Sequence, residues 1–227
     1  MFNYPATIVC KSITSLVPSN TGTQGGNITV SPENGLSIGI NGIVNPSAST
    51  AGTYTITYTI PQSADFCPEA KTSFTLTIED NPAAPSLTQT PATCTSATGS
   101  ISVTAPLGNG LFYKLDDGQY QAQATFGQVS TGSHTVTVKN ASGCTRSANI
   151  TVISDSQAPT VTVSATLSVC VGAPEITLSG ALPAGGVYSG NHVSNGIFNP
   201  NTPGSHITTY TVTGENGCVG SNTFTIN

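Results

Sequence analysis

The chain has 227 residues, a formal net charge of −5 and only 7% charged residues, against the quarter typical of globular domains. An acidic balance without a basic run excludes a nucleic-acid groove, and no apolar stretch reaches the length of a membrane-spanning helix. The residues after Met1 have neither the basic region nor the apolar core of an export signal, so the expectation is a segment from the middle of a longer secreted protein.

The opening stretch FNYPATIVC places Phe2, Tyr4, Ile8 and Cys10 on a short edge strand broken by Pro5. A turn at SNTGTQGG leads into a second strand, and NGLSIGINGIV carries two Asn-Gly pairs, Asn34 with Gly35 and Asn41 with Gly42. Asn-Gly is the strongest short hairpin signal. AGTYTITYTI then sets Tyr54, Ile56, Tyr58 and Ile60 on one face of an extended chain and Thr55, Thr57 and Thr59 on the other, the period-two pattern of a strand with one buried face. After Cys67 the pattern returns as FTLTI, residues 74–78, so a closing hairpin is predicted.

That unit recurs twice. TGSHTVTVKNASGC runs from Thr131 to Cys144 and GSHITTYTVTGENGC ends at Cys218, followed by ANITVI and NTFTI. The recurrence cuts the chain into pieces of roughly 75 residues, with boundaries at 1–80, 81–154 and 155–227 and short proline-bearing linkers, NPAAP and SDSQAP. In the second piece GSISVTA is a strand, and LFYKL and GQYQAQATF are joined at Asp116, Asp117 and Gly118. The third piece resembles the first: GGVYSGNHVSNGIFNP matches GGNITVSPENGLSIGINGIVNP, with the shared ending NGI-x-NP. Nothing has helical periodicity. The fold class predicted is all-β: three tandem, small, immunoglobulin-like antiparallel sandwiches, each with one disulfide, which placed end to end would span roughly 100 Å.

Pieces of this size have thin cores and commonly need a staple. Each holds an early cysteine (Cys10, Cys94, Cys170) and a late one (Cys67, Cys144, Cys218). Six cysteines allow 15 pairings; the repeat favours Cys10 with Cys67, Cys94 with Cys144 and Cys170 with Cys218, each contributing about 4 kcal/mol on the chain-entropy model. Such bridges require an oxidising compartment and would pin the first strand to one end of each sandwich. Zinc is the rival use of the sulfurs, but there is no CxxC, and His134, His192 and His206 do not stand at ligand spacing from the cysteines.

The middle piece, from CTSATGSISVTAP through YKLDDGQY to TGSHTVTVKNASGC, resembles the SprB-type repeat of giant cell-surface adhesins of gliding Bacteroidetes such as the flavobacteria. The flanking pieces, with FNYPATIVCKS, TGTQGG, NPSASTAGTYTITYTIP and LPAGGVYSG, resemble the immunoglobulin-like repeats of such proteins. The resemblance implies export by the type IX secretion system, display on the cell surface, and a part in gliding motility and attachment. It carries no catalytic residues and no cofactor.

The residues themselves point the same way. No GxSxG elbow or triad spacing is present, and the adjacent acids, Glu79 with Asp80 and Asp116 with Asp117, lie at a linker and a turn rather than as a glycosidase pair. Calcium is an alternative at Asp116 and Asp117 and at the junction acids Glu79, Asp80 and Asp155, though the further ligands of an EF-hand loop are missing. His134 is expected to take the structural place that Tyr54 takes in the first piece, and His192 to be a loop residue. Lys-to-Asn isopeptide bonds through Lys11, Lys71, Lys114 or Lys139 would be redundant beside disulfides. Partners expected are the neighbouring repeats of the same polypeptide and, on the alternative reading of a glycan- or surface-binding module, polysaccharide or abiotic surfaces. With seven Tyr, seven Phe and no Trp, the candidate surface contacts are Tyr120 and Tyr188.

Overall fold

Alternation of Thr with Ile, Val and Tyr sets the architecture, because β-branched and aromatic side chains suit a pleated surface with one face buried. The computed structural model describes residues 2–20, 25–62, 68–163 and 167–227. It is all-β and mostly antiparallel, and its only helical element among the described residues is a single 3-10 turn at Pro46–Ala48. The chain divides into two compact units, one of Met1–Thr88, Ser102–Phe126 and His134–Ile150, the other of Gln89–Ile101, Gly127–Ser133 and Thr151–Asn227.

In the first repeat the strands Ile8–Cys10, Ala70–Glu79, Gly52–Ile60 and Asn27–Ser31 form one sheet in that order. Tyr54, Ile56 and Tyr58 are buried and the intervening threonines face outward. They pack with Phe2, Tyr4, Val9, Leu16, Val44, Leu76 and Ile78 in one core. The predicted closing hairpin is present, running from Gly52 opposite Ile78 to Ile60 opposite Ala70. The opening stretch differs from expectation. Phe2–Asn3 pairs antiparallel with Ser19–Asn20, while Ile8–Cys10 pairs in parallel with Thr77–Glu79. Pro5, which cannot donate to a ladder, separates the two. Val9 faces inward at 3% exposure and Ile8 outward at 51%.

The second repeat contains two three-stranded sheets. Their orders are Phe112–Leu115, Gly132–Lys139, Thr145–Val152 and Thr125–Val129, Gly99–Ala105, Ser86–Thr90. The third repeat has Val187–Gly190, His206–Thr213, Val219–Ile226 in one sheet and Ile176–Thr177, Ile197–Phe198, Val193–Ser194 in another. Asn195 and Gly196, with φ of 48° and 75°, make the tight turn that sets Ser194 opposite Ile197, as the Asn-Gly signal predicts. In the first repeat Asn41–Gly42 also closes a turn, Gly42 N–H donating to Gly39 O at 2.8 Å; Asn34–Gly35 instead sits in a bend, where Gly35 O accepts from Thr50 N–H.

The double glycines of the two outer repeats have one cause. Gly26 N–H donates to the Tyr58 hydroxyl at 2.8 Å and Gly186 N–H to the Tyr210 hydroxyl at 2.7 Å. A Cβ on either glycine would stand 2.5 Å from that tyrosine's Cζ. Replacing Gly186 by Ala is therefore expected to cost about 1–3 kcal/mol in urea unfolding. Gly127→Ala, with nothing within 4 Å of the new Cβ, should stay within about 0.5 kcal/mol of wild type.

Candidate functional site: two disulfide clasps

Strand direction decides where each cysteine lies. A parallel pairing between the opening and closing segments is common to all three repeats: Ile8–Cys10 beside Thr77–Glu79, Ala92–Thr93 beside Ser154–Asp155, and Leu167 beside Ile226. It carries the early cysteine to the C-terminal end of the closing strand, with Cys10 opposite Glu79, and Cys170 follows Val169, whose N–H donates to Asn227 O. The late cysteine lies before the same strand's first residue. In the third repeat Cys218 directly precedes Val219–Ile226, a strand roughly 26 Å long at 3.3 Å per residue. Disulfides need Cα atoms within about 7 Å.

The pairing suggested by the repeat, Cys10 with Cys67, Cys94 with Cys144 and Cys170 with Cys218, is therefore corrected. The structure joins Cys10 to Cys144, with Cα atoms 5.5 Å apart, and Cys94 to Cys218, 5.0 Å apart. Cys10 and Cys94 each bond the late cysteine of the next repeat. Cys170 is a free, exposed thiol, and Cys67 lies outside the described residues. Each clasp falls wholly within one of the two compact units. The loops closed span 134 and 124 residues, worth about 5 kcal/mol each on the chain-entropy model.

An asparagine from the late hairpin turn organises each clasp. Asn140 Oδ1 accepts Cys144 N–H at 2.8 Å, and its Nδ2 donates to Asp80 O at 3.2 Å. From the linker, Asn81 Nδ2 donates back to Thr145 O at 2.9 Å. At the second clasp Asn216 Oδ1 accepts Cys218 N–H at 3.1 Å, and its Nδ2 reaches Asp155 Oδ1 at 3.0 Å and Gln157 O at 2.9 Å. Cys94 N–H donates to Asn216 O. Gly217 lies so close to Thr95 that a Cβ would meet its Cγ2 at 2.5 Å. Cys144 and Cys218 are each 1% exposed. Sequence reasoning missed these asparagines, although both stand in the turn just ahead of a Gly-Cys pair.

The other sequence-selected residues are placed as follows. Tyr54 donates its hydroxyl to Thr50 O at 2.9 Å, the corner bond of immunoglobulin-like folds. His206 makes the same kind of bond, its Nε2 bonding Thr202 O, also four residues back, at 3.0 Å. His134 donates from Nδ1 to Asp116 Oδ2 at 2.8 Å, while Asp116 Oδ1 accepts Thr135 N–H at 2.8 Å. Asp117 lies in the same turn, exposed. Tyr188 is half-buried against the core: it packs 4.7 Å from Tyr210 and 6.2 Å from Phe224, and its hydroxyl accepts Ala181 N–H. Tyr120 is half-buried, with Lys139 Nζ 3.9 Å and Lys114 Nζ 5.6 Å from its ring centroid. His192 takes a left-handed φ of 62° in its loop and stacks edge-on to His206 at 5.0 Å.

The threonine rows pair with each other. Thr53 and Thr77, Thr57 and Ser73, and Thr137 and Ser147 share hydroxyl hydrogen bonds of 3.1, 2.9 and 2.8 Å across strands.

Fold and site together define an all-β protein of immunoglobulin-like build with disulfide-clasped repeats. No protein-family model matches the chain, and no curated protein matches it. Among solved structures it is similar to a Ca2+-stabilised adhesin by which an Antarctic bacterium binds ice, at 16% identity and a TM-score of 0.40, covering 100% of this chain and 74% of that one. It is also similar to part of a 1.5-MDa bacterial ice-binding adhesin, at 14% identity and TM-score 0.38, covering 100% and 98%. A third is a Bacteroides ovatus protein of a mixed-linkage glucan utilisation locus, at 12% identity and TM-score 0.24, covering 100% and 66%.

Two measurements check the site. Asn216→Ala should lower urea stability of the oxidised protein by about 1–2 kcal/mol and speed reduction of Cys94–Cys218 by dithiothreitol. Hydrogen bonds from His134 and then from Thr135 N–H hold the Asp116 carboxyl below the usual carboxylate range. A depressed pKa stabilises above the unfolded-state value and is lost as pH falls through the folded one. The urea midpoint of Asp116→Asn should therefore lie below wild type at pH 6, and the gap should close as pH drops below about 3.

Proposed function

We propose that this chain is a load-bearing segment of an exported bacterial surface adhesin, made of three repeats at 1–80, 81–154 and 155–227. The observation that carries the proposal is the staggered disulfide pattern, in which each repeat is bonded to the next rather than to itself. A tether that must not be pulled apart at its linkers gains from covalent bonds laid across them. Disulfides also require an oxidising, extracytoplasmic compartment, and the resemblance of the middle repeat to the SprB type supports type IX export and a role in gliding motility. The neighbouring repeats are then the principal partners.

Force spectroscopy on the oxidised chain held by its ends tests this. With both clasps intact the ends can be drawn apart only along the stretches 1–10, 94–144 and 218–227. Reduction should add roughly 500 Å of extension at about 3.4 Å per freed residue. Equal extension before and after reduction would sink the load-bearing reading.

A second reading is favoured by one patch. Phe112, 38% exposed, lies with Tyr120, Lys114 and Lys139 on one sheet face. Among the described residues neither lysine has a carboxylate within ion-pair distance, and the chain has only five Lys and Arg in all. Aromatic surface flanked by unpaired cations suits an anionic polysaccharide. Binding of the oxidised chain to a uronate polymer, weakened about tenfold by Lys139→Ala or Tyr120→Ala (1.4 kcal/mol) and absent with a neutral glucan, would establish this module; no binding leaves the mechanical reading alone.

A further inference from the structure

Cys10 and Cys94 are both occupied, and the third member of their series is not. Cys170 stands where they stand, at the C-terminal end of a closing strand. Its carbonyl accepts from Ala173 N–H three residues on, as that of Cys10 accepts from Ile13 N–H. Its surroundings are open. Val171 beside it is 57% exposed, and Val169, Val171, Pro200, Pro203, Ile226 and Asn227 wall a shallow cleft there. At the completed second clasp the corresponding space holds a hairpin turn, with Gly214 and Gly220 closed against Pro159 and Gly217 against Thr95.

We infer that Cys170 is one half of a third clasp, whose other half is the late-cysteine hairpin turn of a further repeat joined after Asn227. The turn is recognised by chemistry repeated twice in this molecule. It carries an asparagine that caps its own cysteine N–H and bonds the linker backbone, and a glycine directly before the cysteine at a positive φ, 89° at Gly143 and 73° at Gly217. The inference rests on the clasp geometry and not on what the parent protein attaches to. Closure is thiol–disulfide exchange with a small disulfide oxidant. The Cys170 thiolate attacks glutathione disulfide and expels one glutathione thiolate, and the late cysteine then displaces the second. Two cysteine thiols are oxidised to one disulfide, one glutathione disulfide is reduced to two thiols, and the two protons pass to the glutathione.

The test uses the full chain carrying Cys67→Ser, which removes the competing sulfur, lengthened after Asn227 by a second copy of residues 81–154. It is oxidised with glutathione disulfide and mapped by non-reducing proteolysis and mass spectrometry. The expected product joins Cys170 to the added copy of Cys144, with Cys10–Cys144 and Cys94–Cys218 intact. Asn140→Ala in the added copy should raise the fraction of unpaired Cys170 several-fold at a fixed glutathione ratio. Cys170 left as a thiol or glutathione adduct, divided between the two added cysteines, or insensitive to Asn140→Ala would overturn the proposal. In the unextended native chain iodoacetamide should label Cys170 within minutes and spare Cys10, Cys94, Cys144 and Cys218; a Cys170 that resists labelling would also count against it.

Discussion

The covalent pattern of this protein depends on a backbone pairing, the parallel ladder between the opening segment of a repeat and its closing strand. Three residues suffice in the first repeat, Ile8–Cys10 beside Thr77–Glu79. Had the opening segment paired antiparallel with its neighbour, its cysteine would have finished near the closing hairpin turn, where the late cysteine lies. Running parallel, it finishes a strand's length away and faces the linker. From that point the sulfur it meets, among the described residues, belongs to the next hairpin turn.

Around that constraint the repeats divide their work. The cores are small and aromatic, and their tyrosines serve twice, burying a ring while tying a loop by the hydroxyl. Tyr4 donates to Gly42 O at 2.6 Å, and burial raises its phenol pKa well above the ordinary value; Tyr58 and Tyr210 hold the double-glycine loops. The outer faces use hydroxyl pairs where most proteins use ions. Hydroxyl bonds of this kind hold side chains without a formal charge to be screened, so the fold is expected to be little affected by salt.

Each clasp is more than its sulfur bond. The asparagine of the hairpin turn bonds both its own cysteine's N–H and the backbone of the linker, so the turn is aligned before any disulfide closes. Preorganisation of this sort lowers the entropy lost when the two sulfurs are brought together. Because the late cysteines are buried and held by the turn, the bond joins two ordered elements rather than two loose loops.

Much of this was legible in the chain itself. The period-two alternation at Tyr54–Ile60 determined a strand and its buried face; the Gly-x-Tyr or Gly-Ser-His entry recurs three times in the sequence; and Asn-Gly at Asn41–Gly42 marked a turn. These are local signals, set by side-chain alternation and by φ. The Phe-Asn-Tyr-Pro opening has the pattern of one edge strand, and no signal in it separates Ile8 from Val9 or tells parallel from antiparallel pairing. That choice belongs to a partner strand some seventy residues away in sequence. With it went the disulfide pairing, because sequence order ranks cysteines along the chain, whereas a bond forms only between those that the sheet places within about 7 Å. Tyr188 and His134 show the same division on a smaller scale. Residue type marked both as notable, but only the tertiary structure packed Tyr188 against Tyr210 and set His134, on its strand, within reach of Asp116.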